Sequence, residues 1–193
     1  MSMPVATRGA VNARRRQRGF TLIEMLTTVA VVAVTTSVGV PALNGFVVGN
    51  RAATQVNTLI GALNYARSEA VSSARAVSLC PYLEDAEAAD PADRYRCSNA
   101  TAWGQGWIVF RAVVDEAGNA TGAREVLRVF GPLAAGDALT GTVSSVTYLP
   151  TGFLADGSSS PGFALIPQAC TADQRRNVSL SLQGQARVAS AHC

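Results

Sequence analysis

The sequence predicts an α+β chain, a long N-terminal α-helix followed by an antiparallel β-sheet head domain, and three observations carry that expectation. The first is an apolar run from Phe20 to Val40 that opens behind a cluster of arginines. The second is the recurrence of Val56, Leu59, Ile60, Leu63, Ala66 and Ala70 at helical spacing, with Arg51, Asn57, Asn64, Arg67 and Ser68 on other faces. The third is the change after Ala76 to short apolar runs separated by Gly, Pro, Asp and Ser, the pattern of strands and tight connections.

The front segment has the charge asymmetry of a membrane anchor. Arg8, Arg14, Arg15, Arg16 and Arg18 precede it with no acid among them, and such clusters are retained on the cytoplasmic side. No charged residue occurs from Met25 to Val40, and counted from Phe20 the run reaches the roughly 20 residues that a hydrocarbon core requires. A single pass with the N-terminus in the cytoplasm is expected. Glu24 is then anomalous, because a carboxylate in a spanning helix costs about 2.5–3.5 kcal/mol unless it is paired or protonated. A cut between Gly19 and Phe20 would create an amine one helical turn away from it. An ordinary secretory signal is cut after its apolar region, whereas here that region holds Glu24, no A-x-A site follows promptly, and the apolar pattern continues past Pro41. Gly39 and Pro41 predict a kink, and a helix continued to Ser73 would be ~80 Å long at the usual rise.

Arg18-Gly19-Phe20-Thr21-Leu22-Ile23-Glu24-Met25-Leu26 resembles the prepilin signal of type IV pilins and type II secretion pseudopilins, the likeness resting on Gly19, Phe20 and Glu24 together. The resemblance implies that a prepilin peptidase cleaves after Gly19 and methylates the new terminus at Phe20, and that Glu24 pairs with the Phe20 amine of a neighbouring subunit. It divides the chain into a cleaved leader (1–19), a pilin-like N-terminal helix (20–75) that is transmembrane in its first half, and a periplasmic β-rich head (76–193). Leu79-Cys80-Pro81, Trp103-Gly104-Gln105-Gly106-Trp107-Ile108-Val109-Phe110 and Val126-Leu127-Arg128-Val129 resemble the GspH/FimT branch of minor pilins and pseudopilins. Membership implies a structural subunit of the bacterial inner membrane, assembled with other pilin-type subunits into a type IV pilus or a type II secretion pseudopilus, at its tip or in its initiation.

Ala76–Cys80, Trp107–Val113, Glu125–Phe130, Val143–Leu149, Phe163–Pro167, Val178–Leu182 and Ala186–Ala189 read as strands. Glu84–Arg96 reads as an acidic loop, and Asp115–Ala123 and Thr151–Gly162 as connections. The four cysteines, Cys80, Cys97, Cys170 and Cys193, all follow the apolar run, in a compartment that permits disulfides. Three pairings can be drawn. Cys80 with Cys97 and Cys170 with Cys193 are favoured, because each closes a short loop and because the resemblance implies a C-terminal segment closed in this way.

The formal net charge of +3 is set by the arginine prefix: of 16 basic residues five lie there, and the remaining 11 face 13 acids. Bulk charge therefore makes no case for nucleic acid or anionic lipid. Lysine is absent, and the one histidine, His192, stands next to the C-terminus. No nucleophile–base constellation, phosphate-binding glycine loop or metal-ligand spacing occurs, and Glu84, Asp85, Glu87, Asp90 and Asp93 lack the alternating register and glycine turn of a Ca²⁺ loop. The expectation is a chain that is not an enzyme and needs neither cofactor nor metal. Arg175, Arg176 and Arg187 flank a hairpin expected to turn at Gln183-Gly184, and arginines on such a hairpin can contact successive phosphates. FimT-like members bind double-stranded DNA through a G-R-x-R motif near the C-terminus. The matching positions here are Gly184, Gln185, Ala186 and Arg187, so the first arginine of the pair is a neutral glutamine.

Overall fold

The computed structural model describes residues 19–88, 94–115, 120–155 and 160–193, with the side chains at 38, 40–42 and 120 excepted. The chain forms two compact units, Met1–Ala42 and Leu43–Cys193, and the helix α1 (Leu22–Ser73) contributes to both. Nine strands follow among the described residues of the second unit: β1 (Val77–Glu84), β2 (Tyr95–Cys97), β3 (Trp107–Val114), β4 (Ala120–Phe130), β5 (Ala138–Gly141), β6 (Val146–Tyr148), β7 (Gly162–Ile166), β8 (Arg175–Leu180) and β9 (Ala186–Ala191).

In the first unit the described residues are the opening half of α1, exposed along its length. The hydroxyls of Thr27, Thr28, Thr35, Thr36 and Ser37 each donate to a carbonyl three or four residues earlier, at 2.8–3.0 Å. Their polarity is thereby turned back onto the backbone. Among the described residues no helix is long and apolar enough to cross a membrane, in contrast to the span expected from Phe20 to Val40. Glu24 and these five hydroxyl residues interrupt the described part of the run, and the side chains at 38 and 40–42 that complete it lie outside the description. So do the arginine prefix and the kink expected at Pro41.

In the second unit α1 buries a stripe of Ala52, Val56, Leu59, Ala62, Leu63, Ala66 and Ala70. Ile60 borders it. Four alanines among seven buried positions let the helix backbone come close to the strands beneath. All strand pairs are antiparallel. A five-stranded sheet runs β2-β1-β3-β4, with β6 also on β1, and a four-stranded sheet runs β5-β7-β8-β9. β2 pairs with Tyr82–Glu84 and β6 with Val77–Leu79, so two short strands share one edge of β1.

β1 is buried on both faces. Val77 and Leu79 join the core that includes the helix stripe, Trp103, Trp107 and Tyr148, while Cys80 and Tyr82 meet Ile108 in a second, smaller cluster. The disulfide Cys80–Cys97 closes that cluster, and Cys170–Cys193 ties the β7–β8 connection to the end of β9. The sequence separations are 17 and 23 residues. Loops of this size contribute about 3 kcal/mol each by restricting the unfolded chain.

β2 and β5 were not expected from the sequence. β2 lies in a stretch read as loop, and β1 continues through Pro81 to reach it. Pro81 turns its carbonyl toward that side, where it accepts from Ser98 N–H at 2.9 Å, beyond the last residue of β2. Its missing N–H therefore removes no ladder bond. β5 is held by the Ala102–Thr140 bridge and by Trp103 N–H donating to Leu139 O at 2.8 Å. Gly106, at φ 102°, packs so tightly that a Cβ would lie 2.5 Å from Phe130 O, which fixes the glycine between the two tryptophans.

One buried carboxylate fastens the helix to the loops. Asp137, whose side chain is 0% exposed, accepts from Arg51 Nη2 at 2.8 Å, Gln55 Nε2 at 2.8 Å and the Gln168 amide at 2.7 Å. The Arg51 side chain is 34% exposed and keeps access to water when its partner is lost, but the Gln55 amide and the Gln168 N–H lose their acceptor, so Asp137→Ala is expected to cost about 1–3 kcal/mol. Denaturant unfolding of the purified chain measures this, and a loss below about 1 kcal/mol, the range of exposed pairs, would contradict it.

Candidate functional site

Two regions hold the residues singled out from the sequence. At the front, Gly19 and Phe20 are non-helical and exposed, Phe20 to 79%, directly ahead of α1. Thr21 caps the helix. Its hydroxyl accepts from Glu24 N–H at 3.3 Å, while the Glu24 carboxylate accepts from Thr21 N–H at 3.5 Å. This is a reciprocal capping box, and its signal was present in the sequence as T-x-x-E. Thr21 is thus a residue that reading Glu24 alone had missed. The carboxylate also stands in the first turn of the helix, where the aligned peptide dipoles favour negative charge. It is exposed and its local bond is long, so it keeps acceptor capacity for a second partner.

At the other end, β8 and β9 form the hairpin. Gly184 N–H donates to Ser181 O at 2.8 Å and Ser181 N–H to Gln185 O at 2.9 Å. Gly184 has φ 74°, and a Cβ there would meet the Tyr148 ring at 2.5 Å and Gly152 O at 3.0 Å. The glycine of the G-x-x-R sequence is accordingly required by the turn and by the buried tyrosine beneath it.

The hairpin separates the three arginines. Arg187 is exposed opposite Ser179, on the same outer sheet face as Arg175, whose Nε donates to Asn177 Oδ1 at 3.2 Å. Arg176 points to the opposite face, where its guanidinium donates to Asp173 O at 2.6 Å and Ser190 Oγ at 3.0 Å. The outer face forms an open depression of ≈ 400 Å³, floored by Gly162, Ala164 and Ala189 and edged by Thr140, Asn177 and Ser179.

The acidic stretch after β1 is internally matched. Glu84 takes Arg94 Nη2 at 2.8 Å, and Asp85 accepts from Glu87 N–H at 3.2 Å. Asp90 and Asp93 lie outside the described residues. Among the described residues no group of three or more His, Cys, Asp or Glu is placed to hold a metal.

A long N-terminal helix with a glycine–phenylalanine junction and a first-turn carboxylate, packed on a small antiparallel head, defines a pilin-type subunit. The chain belongs to the type II transport protein GspH family, whose model matches residues 55–184, and residues 14–40 match the prokaryotic N-terminal methylation motif. It is therefore a structural subunit, of a type IV pilus or a type II secretion system, that associates with other pilin-type subunits and is not an enzyme. Among solved structures it is similar to the type IV minor pilin FimU of Pseudomonas aeruginosa PAO1, at 27% identity over 72% of this chain and 85% of that one, with TM-score 0.47. It is also similar to the minor pseudopilin EpsH of the type 2 secretion system of Vibrio cholerae, at 12% identity over 72% and 97% of the two chains, with TM-score 0.45. No curated protein matches the sequence.

Tyr148 gives the head a titratable reporter. It is fully buried, and burial pushes its hydroxyl up from 10.0 to about 12 against the opposing pull of Arg67. Because the folded value lies above the unfolded one, its contribution to stability is complete below pH 10 and is lost as the pH rises toward about 12. The unfolding free energy is expected to fall across that interval, and Tyr148→Phe to flatten the fall. An identical alkaline slope in the variant would contradict this.

Proposed function

We propose that the chain is a minor pilin or pseudopilin made as a precursor, cut after Gly19, methylated on the Phe20 amine and built into a filament through Glu24, near the tip or in initiation. The observation that carries the reading is the Gly19-Phe20 junction, exposed and non-helical, with none of the described residues within 4 Å of a Cβ placed at Gly19. A peptidase has access there without unwinding the helix. Cleavage leaves Thr21 and Glu24 in place and adds a cationic amine, the partner an acid in an apolar helix requires. Before assembly the chain is held in the inner membrane by the first half of α1, with its head in the periplasm. The apolar run from Met25 and the arginine prefix support that orientation.

Intact-mass measurement after co-expression with a prepilin peptidase is expected to give a chain beginning at N-methylated Phe20. Glu24→Ala is expected to leave the head folded and cleavage intact while abolishing incorporation into filaments. A chain that still begins at Met1, or full incorporation of the variant, would sink the reading.

A second reading, contact with double-stranded DNA, is supported by the shared open face of Arg175 and Arg187. The neutral Gln185 and the engaged guanidinium of Arg176 weigh against it. A salt-sensitive mobility shift lost in Arg187→Ala is its expected signature.

A further inference from the structure

The edges of the two sheets are unequally protected. β2 has three residues and ends at a disulfide. β4 is long, but its pairing with β3 is interrupted by two register shifts, and Arg124 and Arg128 lie over neighbouring aromatic rings beside it. β5 has four residues and is bridged to Ala102, and β6 has three and is bridged to Leu154. Shortness, irregularity and charge are the usual means of keeping strand edges from pairing with other chains. β9 has none of the first two and little of the third. Its six residues pair in unbroken register with β8, it contains no proline, and Arg187 is its one charge.

Backbone directions along that edge follow from two hydrogen bonds. Leu180 N–H donates to Pro161 O at 2.8 Å, toward β7, and Ser181 N–H to Gln185 O at 2.9 Å, toward the following strand. Because directions alternate along an antiparallel strand, Ser179 and Asn177 bond to β9 through their partners Arg187 and Ala189. Ala186, Val188 and Ser190 consequently turn their N–H and C=O groups to the open side, and residues 187–190 are exposed. The edge is also held rigid, since Cys193 is bonded to Cys170 and its N–H donates to Ala172 O at 3.0 Å.

We propose that β9 is a docking edge for an extended strand of another polypeptide, which adds as a fifth strand to the β5-β7-β8-β9 sheet. The side chains state what that strand carries. On the outer face Arg187 and Arg175 stand with no carboxylate on the positions in register with them, so the incoming residue opposite Arg187 is an acid. On the inner face Val188 remains 47% exposed beside Ala186, so the incoming residue opposite Val188 is apolar, while Ser190 further along that face is already engaged by the Arg176 guanidinium. An acidic–apolar alternating segment meets both requirements. Main-chain bonds would supply affinity and the alternating side chains specificity. Three unpaired peptide groups in a row call for another peptide rather than for a duplex, which would use the guanidiniums and ignore the edge.

The test uses the full chain in detergent and a labelled synthetic peptide of about ten residues alternating valine and aspartate. Saturable binding is expected, with hydrogen exchange at the Ala186, Val188 and Ser190 amides slowed by at least about tenfold. Val188→Pro removes one outward N–H without breaking a bond to β8, so it is expected to keep the wild-type unfolding midpoint and weaken binding by about tenfold or more. Arg187→Glu is expected to transfer preference to a valine–lysine peptide. Absence of binding, undiminished binding by Val188→Pro, or self-association of the chain through this edge overturns the proposal. Exchange in the free wild-type chain tests it without any variant: the same three amides must exchange fast while Arg187 and Ala189 exchange slowly, and prior protection of the three refutes an open edge.

Discussion

The burial of one helix stripe against the strands is the constraint on which the rest of the head depends. Ala52, Val56, Leu59, Leu63, Ala66 and Ala70 remove their side chains from water against Leu79, Trp107, Val109 and Tyr148, at about 1.5–3 kcal/mol for each large apolar group. The alanines set how close the backbone comes, and Asp137 sets the position along the helix by accepting from Arg51 and Gln55, one turn apart. Shape alone would allow the stripe to slide by a turn. A buried carboxylate with donors at fixed positions does not.

Much of this was legible in the sequence, and the parts that were not have physical reasons. The helix stripe showed because apolar spacing near 3.6 residues survives in a one-dimensional text, and β3 and β7, expected at Trp107–Val113 and Phe163–Pro167, showed because each is a short apolar run opened by a glycine. β2 and β5 did not show, because Tyr95-Arg96-Cys97 and Ala138-Leu139-Thr140-Gly141 draw their order from contacts distant in the chain: a disulfide with β1, and a bridge to Ala102. The strand β8 was expected to begin at Val178 and begins at Arg175, since two adjacent charges carry no apolar strand signal until the structure sends them to opposite faces. Asp137 carries no local signal in the sequence. Its role depends on the Gln168 amide, 31 positions further on.

The two candidate sites differ in how sequence encodes them. Gly19, Phe20 and Glu24 are neighbours in the chain, so their pattern is local, and the structure adds Thr21 as the residue that squares the helix start with the acid. The C-terminal face is assembled from β5, β7, β8 and β9, and only pairing register reveals that Arg175 and Arg187 share a side while Arg176 does not. Gly184 belongs to both levels: it is a turn residue in the text and, in three dimensions, the one residue that clears the Tyr148 ring. Substitutions near it act on the tyrosine's pocket as well as on the hairpin.

The bond between Cys170 and Cys193 has a mechanical corollary. Traction on the last strand enters the fold through that covalent link rather than by unzipping the strand from its neighbour, and two residues upstream it meets the Gln168 amide, held by Asp137. Asp137 is in turn gripped by Arg51 on the helix. A pull at the tail of the molecule is thus handed, through one sulfur bridge and the Asp137 carboxylate, to the turn of the helix that carries Arg51 and Gln55.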